Sequence, residues 1–344
     1  MKIAVLSFTS KGCNLNKKIL EFLRKEDIKA TGFTLSKFAE NNNLNSLEPS
    51  LREWTLENFN KYDALCFIGA LGIAVRTIAP FIKSKDIDPA VLVIDEKGEF
   101  IIPLLSGHIG GANKLSIKIA EYLKGKAVIT TATDINNEFA VDNFAVSNNL
   151  IIDNIKDIKV ISGRILEGKN VGLYSDLKLL GELPRKIVLD EEDFGICISY
   201  KDIKPFKFTM NLIPKNLSLG IGCRKNKPLE DIESLVFSVL KENNISIKAI
   251  KGIYSIDLKK NEQGILDFSK KYNIPFKVFT AEELKKAKGD FSKSAFVSSV
   301  TGVDNVCERA AISGSLGGEI YIKKTSNNGV TASIAKEEWS VKFE

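Results

Sequence analysis

The stretch that most constrains this chain is residues 101–125, IIPLLSGHIGGANKLSIKIAEYLKG. It begins with a short apolar run, Ile101 to Leu105, of strand character. A turn of small residues follows, Ser106-Gly107-His108-Ile109-Gly110-Gly111-Ala112-Asn113. Leu115, Ile119, Tyr122 and Leu123 then recur at helical spacing, so an amphipathic helix is expected to about Leu123. Strand, glycine-rich turn and helix in that order is the building unit of wound α/β sheets, whose ligands sit beyond the carboxyl ends of the strands. Glycines let a ligand approach the backbone, and a helix N-terminus offers free N–H groups to an anion. His108, the only histidine among 344 residues, lies in this turn. The turn therefore reads as a binding or catalytic loop, against the plainer alternative that tight turns simply need glycine. No Gly-Lys-Ser/Thr follows it and the GxGxxG spacing is absent, so it is neither a P-loop nor a dinucleotide fingerprint.

The same unit recurs. Residues 2–8 read as a first strand, 15–23 as a helix, 29–35 as a second strand and 36–50 as a polar loop. Residues 51–59 look helical. The strand 63–68 exits at Gly69-Ala70-Leu71-Gly72-Ile73-Ala74-Val75-Arg76, a second small-residue turn opening a helix. Strand 89–95 ends in a turn at Glu96-Lys97-Gly98. Strands alternating with helices imply a parallel, doubly wound sheet. Its carboxyl-end turns are expected to gather Ser10, Gly69, Gly72, Arg76, Ser106, His108, Thr131 and Asp134 at one rim. The fold class is thus α/β and multi-domain, with wound, mostly parallel sheets and flanking helices in the N- and C-terminal domains. The domains are expected at 1–134, 135–215 (a small, less regular α/β middle region) and 216–344. The last opens with SLGIGCRKN, where a short strand gives way to a Gly/Arg/Lys turn before a helix at 229–242. Residues 296–299 read as a strand, which puts Ser298, Ser299, Thr301 and Gly302 at a strand end.

Composition narrows the class of partner. The chain is 44% hydrophobic and 27% charged, ordinary for a globular protein, and its net charge is +6. No segment carries the dense Lys/Arg stripe of a nucleic-acid binder. Residues 63–82 are apolar enough to suggest a membrane helix, but Arg76, Pro80 and the internal glycines favour a buried strand, a turn and a helix start. Five cysteines without CxxC spacing argue against a disulfide framework, and one histidine leaves little for a zinc site. A reducing cytoplasm is the expected location. Cys223 reads as a small buried residue rather than a nucleophile. Gly222, Arg224 and Lys225, with the Ser298–Thr301–Gly302 segment, form a second cluster suited to an acidic ligand. Arginine grips carboxylates with a planar fork and lysine acts as a point charge.

Several segments together resemble the cobalt-precorrin-5A hydrolase (CbiG) family of cobalamin biosynthesis. GALGIAVRTIAPFIKSKDIDPAVLVIDEKGEFIIPLLSGHIGGAN and VITTATD are similar to its N-terminal part. GIGCRKN, SIDLKKNEQGILDF, PFKVFTAEEL, FVSSVTGVDNVCERAA and the closing VTASIA are similar to its C-terminal domain. The resemblance implies a hydrolase of the anaerobic pathway. It opens the ring A lactone of a cobalt-bound macrocycle with water, releases a methylated bridging carbon as acetaldehyde and yields cobalt-precorrin-5B. It implies no cofactor beyond the cobalt carried by the substrate, whose acetate and propionate groups suit basic turns. Contacts with a membrane or nucleic acid are not expected; a homodimer and transient contacts with other enzymes of the pathway are.

On this reading His108 serves as general base, since its unperturbed pKa of about 6.5 suits proton transfer. Ser106, Asn113 and the N–H groups of Gly110 and Gly111 would steady an oxyanion. Gly69, Gly72, Arg76, Thr131, Asp134, Gly222, Arg224, Lys225, Ser298, Thr301 and Gly302 would line the substrate. The alternative is a non-catalytic tetrapyrrole-binding or carrier protein, because the C-terminal unit also occurs alone in the aerobic branch of the pathway. A nucleotide-dependent enzyme is disfavoured by the missing phosphate fingerprints.

Overall fold

The strand–turn–helix units build an α/β architecture in a computed structural model that describes residues 1–84, 87–136 and 138–343, with the backbone alone at 296. Packing divides the chain into two compact units, Met1–Asn143 and Phe144–Glu344. In the first, strands β1 (Lys2–Ser7), β2 (Lys29–Thr34), β3 (Asn45–Ser46), β4 (Ala64–Ile68), β5 (Ala90–Ile94), β6 (Phe100–Leu105) and β7 (Lys126–Ala127) form one seven-stranded sheet. Its order is β3-β2-β1-β4-β5-β6-β7. Helices α1 (Ser10–Lys25), α2 (Ser36–Asn42), α3 (Leu51–Asn58), α4 (Leu71–Ile78), α5 (Ala112–Leu123) and α6 (Ala132–Ile135) belong to this unit, and α7 (Val141–Ser147) begins in it and ends in the second.

Strands β4 and β5 are apolar at every position, and β1 from Ile3 to Leu6, because both faces are covered. Ile3, Val5, Cys66, Ile68, Leu92 and Ile94 face Leu15, Ile19 and Leu23 of α1 and Leu115 and Ile119 of α5. Their alternates Ala4, Leu6, Leu65, Phe67, Val91 and Val93 face Trp54, Phe59, Ala74 and Ile78. Each such Leu or Ile contributes about 1.5–3 kcal/mol by leaving water. Thr9 caps α1, its hydroxyl accepting the Gly12 N–H at 3.0 Å. Residues 36–50 depart from the loop expectation and hold α2 and β3. Helix α2 buries no residue, so it lacks the apolar period by which helices are recognised.

One reversal in this sheet decides where the loops go. Strands β1 to β5 run parallel, but β6 pairs antiparallel with β5, from Val91↔Leu105 to Ile94↔Ile101. The connection 95–99 is a tight turn in which the Asp95 carboxylate accepts from the Lys97 and Phe100 N–H groups and Gly98 sits at φ +74°. A turn this short can only join antiparallel neighbours. Strand β7 then pairs parallel with β6. The carboxyl ends of β6 and β7 therefore lie at the rim where β1, β4 and β5 begin.

The second unit contains two five-stranded sheets and a small pair. The first sheet uses β8 (Leu150–Ile152), β9 (Val171–Ser175), β11 (Ile187–Val188), β12 (Phe194–Ile198) and β13 (Phe208–Pro214), with helix α8 (Lys156–Leu166). Its order is β11-β9-β12-β13-β8, parallel except for β8. Strand β10 (Lys178–Leu180) pairs with β19 (Ser340–Lys342). The other sheet runs β16 (Phe276–Phe279), β15 (Ile250–Ile256), β14 (Leu217–Cys223), β18 (Val330–Lys336), β17 (Glu319–Asn327). Helices α9 (Leu229–Glu242), α10 (Gln263–Tyr272), α11 (Ala281–Lys285), α12 (Ala295–Thr301) and α13 (Cys307–Gly314) belong to this part.

Strand β14 carries the SLGIGC motif, and its alternation explains the motif. Leu217, Leu219 and Ile221 pack against Ile232, Leu235, Val236 and Val239 of α9 and Ile265 and Phe268 of α10. Gly220, on the other face, lies against α13, where a Cβ would stand 1.8 Å from the Cys307 carbonyl oxygen. The segment 296–299 is helical rather than a strand. Ser294 caps α12 by accepting the Val297 N–H at 3.3 Å, and Gly302 ends it at φ +76°. These caps outweigh the β-branched content of the run. Among the described residues no helix is long and apolar enough to cross a membrane.

Candidate active site

The turn after β6 is held in place by its own small residues. Ser106 adopts φ +54°, and its hydroxyl donates to the Asp88 carbonyl at 2.9 Å, fastening the turn beside the start of β5. Gly110 packs against it: a Cβ there would lie 2.5 Å from the Ser106 Cβ and 2.8 Å from the Ser106 carbonyl oxygen. Gly111, at φ +80°, enters α5 and donates its N–H to the His108 carbonyl at 2.9 Å. Ser106 is nearly buried and its proton is engaged, so neither it nor the Gly111 N–H is free to steady an oxyanion. Their role is to shape the turn.

That shape presents His108 to two carboxylates. Its Nδ1 lies 3.0 Å from Asp142 Oδ1 and its Nε2 lies 2.8 Å from Asp134 Oδ2. Ionised carboxylates only accept, so both ring nitrogens donate and the ring is an imidazolium. Burial pulls its pKa down, but the hydrogen bonds from Asp142 and Asp134, and then their charges, outweigh it and raise the value from 6.5 to about 9. The expected role of general base does not fit this arrangement, because neither ring nitrogen keeps a lone pair at neutral pH. For the same reason the ring is not placed to bind a metal. Asn113, buried on the first turn of α5, donates its Nδ2 to Asp134 Oδ2 at 2.8 Å and to Thr131 Oγ1 at 3.2 Å.

The structure thus brings together His108, Asn113, Thr131 and Asp134 from the expected set, and adds Asp142. It separates them from Gly69, Gly72 and Arg76. Those follow β4 at the opposite rim, because the hairpin at 95–99 turns β6 around; the strands between the rims are five residues, about 16 Å, long. The single-rim expectation is corrected accordingly. Gly72 there leaves room for the Arg76 guanidinium, 3.4 Å from where its Cβ would be, and at the end of β1 the Thr9 hydroxyl donates to Glu96.

The remaining expected residues lie in the second unit. Arg224 and Lys225 are exposed, and the Arg224 N–H donates to the Gly329 carbonyl at 2.9 Å. The Arg224 guanidinium makes no ion pair among the described residues. Neighbouring lysines are already paired, Lys227 with Asp231 at 2.8 Å and Lys259 with Glu262 at 2.9 Å. The Cys223 thiol is pushed up to about 11 by burial, which suits a packing residue. Ser298 and Thr301 lie on α12, and the Thr301 hydroxyl donates back to the Val297 carbonyl at 2.7 Å.

Comparison with known proteins matches the chain in three consecutive segments. Residues 53–134 match the family Cobalamin synthesis G N-terminal, 139–214 Cobalamin biosynthesis central region and 217–335 Cobalamin synthesis G C-terminus. The chain is 35% identical over 323 residues to a cobalt-precorrin-5A hydrolase from Salmonella typhimurium, covering 90% of both chains. It belongs to the CbiG family. A second relative, the cobalt-precorrin-5A hydrolase of Priestia megaterium, is 28% identical over 96% of this chain and 94% of its own. The crystal structure of a cobalamin biosynthesis protein G homologue from Sulfolobus solfataricus aligns over 98% of this chain and 97% of its own, with 23% identity and a TM-score of 0.41.

In this CbiG chain two functional-looking residues escape a reading of the sequence. Asp142 lies 34 positions from its histidine partner, with no local motif to mark it. Glu308 is fully buried and accepts from the N–H groups of Ser292 and Lys324, both at 2.7 Å, from the Ser292 hydroxyl at 3.0 Å and from Asn305 Nδ2 at 2.8 Å. A carboxylate so enclosed by donors braces α13 against its neighbours; it is structural.

Proposed function

We propose that this chain is a cobalt-precorrin-5A hydrolase. Water opens the ring A lactone of the cobalt-bound macrocycle, the methylated bridging carbon departs as acetaldehyde, and cobalt-precorrin-5B remains. The observation that carries this reading is the 35% identity to the Salmonella relative across 90% of both chains. Chemistry in the first unit agrees with it. Lactone opening and carbon–carbon cleavage each need a proton moved at oxygen, and the loop 106–113 assembles a polar, partly buried set of proton-bearing groups. Cobalt enters as part of the substrate.

The deciding experiment is anaerobic incubation of the purified protein with cobalt-precorrin-5A, without nucleotide, followed by acetaldehyde detection. One acetaldehyde per macrocycle is expected. Bound but unaltered macrocycle would overturn the reading in favour of a carrier.

Arg224 and Lys225 take the role of anchors for peripheral carboxylates, supported by their exposure and by the lack, among the described residues, of an ion pair at Arg224. Replacing Arg224 by alanine is expected to weaken macrocycle binding about threefold to tenfold, worth about 1 kcal/mol for an exposed charge-assisted contact, and to leave kcat unchanged. Titration of absorbance with the macrocycle checks it; unaltered affinity removes Arg224 from the site.

A further inference from the structure

We infer that Asp134 is the catalytic residue that accepts the proton from water and from the substrate hydroxyl, with His108 and Asp142 as positioning residues that hold it. This rests on the hydrolase reading above.

The three side chains form a line, Asp142–His108–Asp134, joined at 3.0 and 2.8 Å. Access differs along it. The side chains of Asp142 and His108 are each 10% exposed, whereas Asp134 is 30% exposed. The line has a closed end and an open end, and Asp134 is the open one.

Its two oxygens differ as well. Oδ2 accepts both the His108 Nε2–H and the Asn113 Nδ2–H, each at 2.8 Å. Oδ1 accepts no hydrogen bond among the described residues. One oxygen is thus anchored by two donors while the other stays free to meet water or substrate. The Asn113 amide also donates to Thr131 Oγ1, which holds that donor in place.

The charge of the line makes Asp134 a proton acceptor. Two carboxylates and one imidazolium sum to −1, and a proton on Asp134 brings the sum to zero. His108 cannot take that proton, since both its nitrogens already carry one. The charged groups that meet the ring are Asp134 from α6 and Asp142 from α7.

The steps balance with one water. Asp134 Oδ1 removes a proton from water as the water oxygen bonds to the lactone carbonyl carbon. The tetrahedral intermediate collapses, the ester C–O bond breaks, and the departing alkoxide takes the proton back from Asp134. Asp134 then removes that hydroxyl proton while the adjacent C–C bond breaks. The oxygen's electrons form the acetaldehyde C=O, and the C–C pair passes to the ring carbon, which is protonated by Asp134.

The test compares wild type, Asp134→Asn and Asp142→Asn in tag-free protein, where His108 is the only histidine and its imidazole NMR signal needs no assignment. Asp134→Asn is expected to lower kcat by about 10²–10⁴-fold, with KM within threefold. Asp142→Asn is expected to lower kcat about tenfold and to move the imidazole titration below the wild-type value of about 9. A wild type that makes no acetaldehyde overturns the hydrolase reading, and this inference with it. A wild type that turns over while Asp134→Asn keeps more than a tenth of its kcat overturns this inference alone. The wild-type titration needs no variant to fold: an imidazole that titrates near 6.5 means the ring is not clamped, and the positioning roles fall.

Discussion

Gly220→Ala is expected to cost more than about 4 kcal/mol and to leave the protein largely insoluble. The new Cβ would stand 1.8 Å from the Cys307 carbonyl oxygen and 2.8 Å from the Ala311 N. Both are backbone atoms of α13, so no side-chain rotation relieves the clash. Helix α13 cannot retreat cheaply either. Ala310 and Ala311 are fully buried, and Glu308 ties the helix to Ser292 and Lys324. Gly222→Ala, two residues on in the same motif, is the control. There the Cβ would meet Thr331 Oγ1 at 2.7 Å, a side-chain atom that can rotate, and a cost of about 1 kcal/mol is expected. Urea midpoints of the two variants check the contrast. A Gly220→Ala protein as stable as Gly222→Ala would mean that α13 does not pack as described.

That contrast separates what the motif GIGCRKN signals from what it does. Read as a sequence, its glycines suggest a ligand approaching the backbone; in the fold, Gly220 admits a helix. The turn SGHIGGAN divides the same way, since Gly110 makes room for Ser106 and only part of the loop faces the acid–base cluster. The wound sheet itself was legible, because strands buried on both faces read as unbroken apolar runs such as Ala64–Ile68. The reversal at β6 was legible too: the five residues 95–99 are too few for a crossover between parallel strands. Expecting one common rim overlooked that, and it placed Arg76 beside His108. Other features carry no local signal. Helix α2 has no buried face to give a period. Helix α12 after Ala295 is written in Phe, Val, Ser and Thr, and its Ser294 and Gly302 caps are the main sign of it. The bond from His108 to Asp142 depends on how the chain returns after α6, which no spacing encodes.

Removing the imidazole is expected to lower both activity and stability. His108→Ala leaves Asp134 and Asp142 near one another without the cation between them. Breaking a fully buried pair costs about 3–5 kcal/mol, and the partial exposure of Asp134 reduces this to about 2–3. Turnover is expected to fall at least a hundredfold, because Asp134 loses one of the two donors on Oδ2. The pH dependence gives the sharper check. The His108 pKa is raised in the folded protein to about 9, above its value of about 6.5 in the unfolded chain. Between these values the folded state binds the extra proton, so raising the pH favours unfolding. The contribution is complete below pH 6.5 and disappears as pH rises through about 9. Wild type and His108→Ala are therefore expected to differ most near pH 6 and to converge towards pH 10, since titrating groups remote from residue 108 cancel in the difference and the two carboxylates are ionised across this range. Urea midpoints of both proteins at pH 6, 8 and 10 measure it. A difference that stays constant across that range would show that His108 does not carry a proton between the two carboxylates, and the charge assigned to the whole cluster would then be wrong.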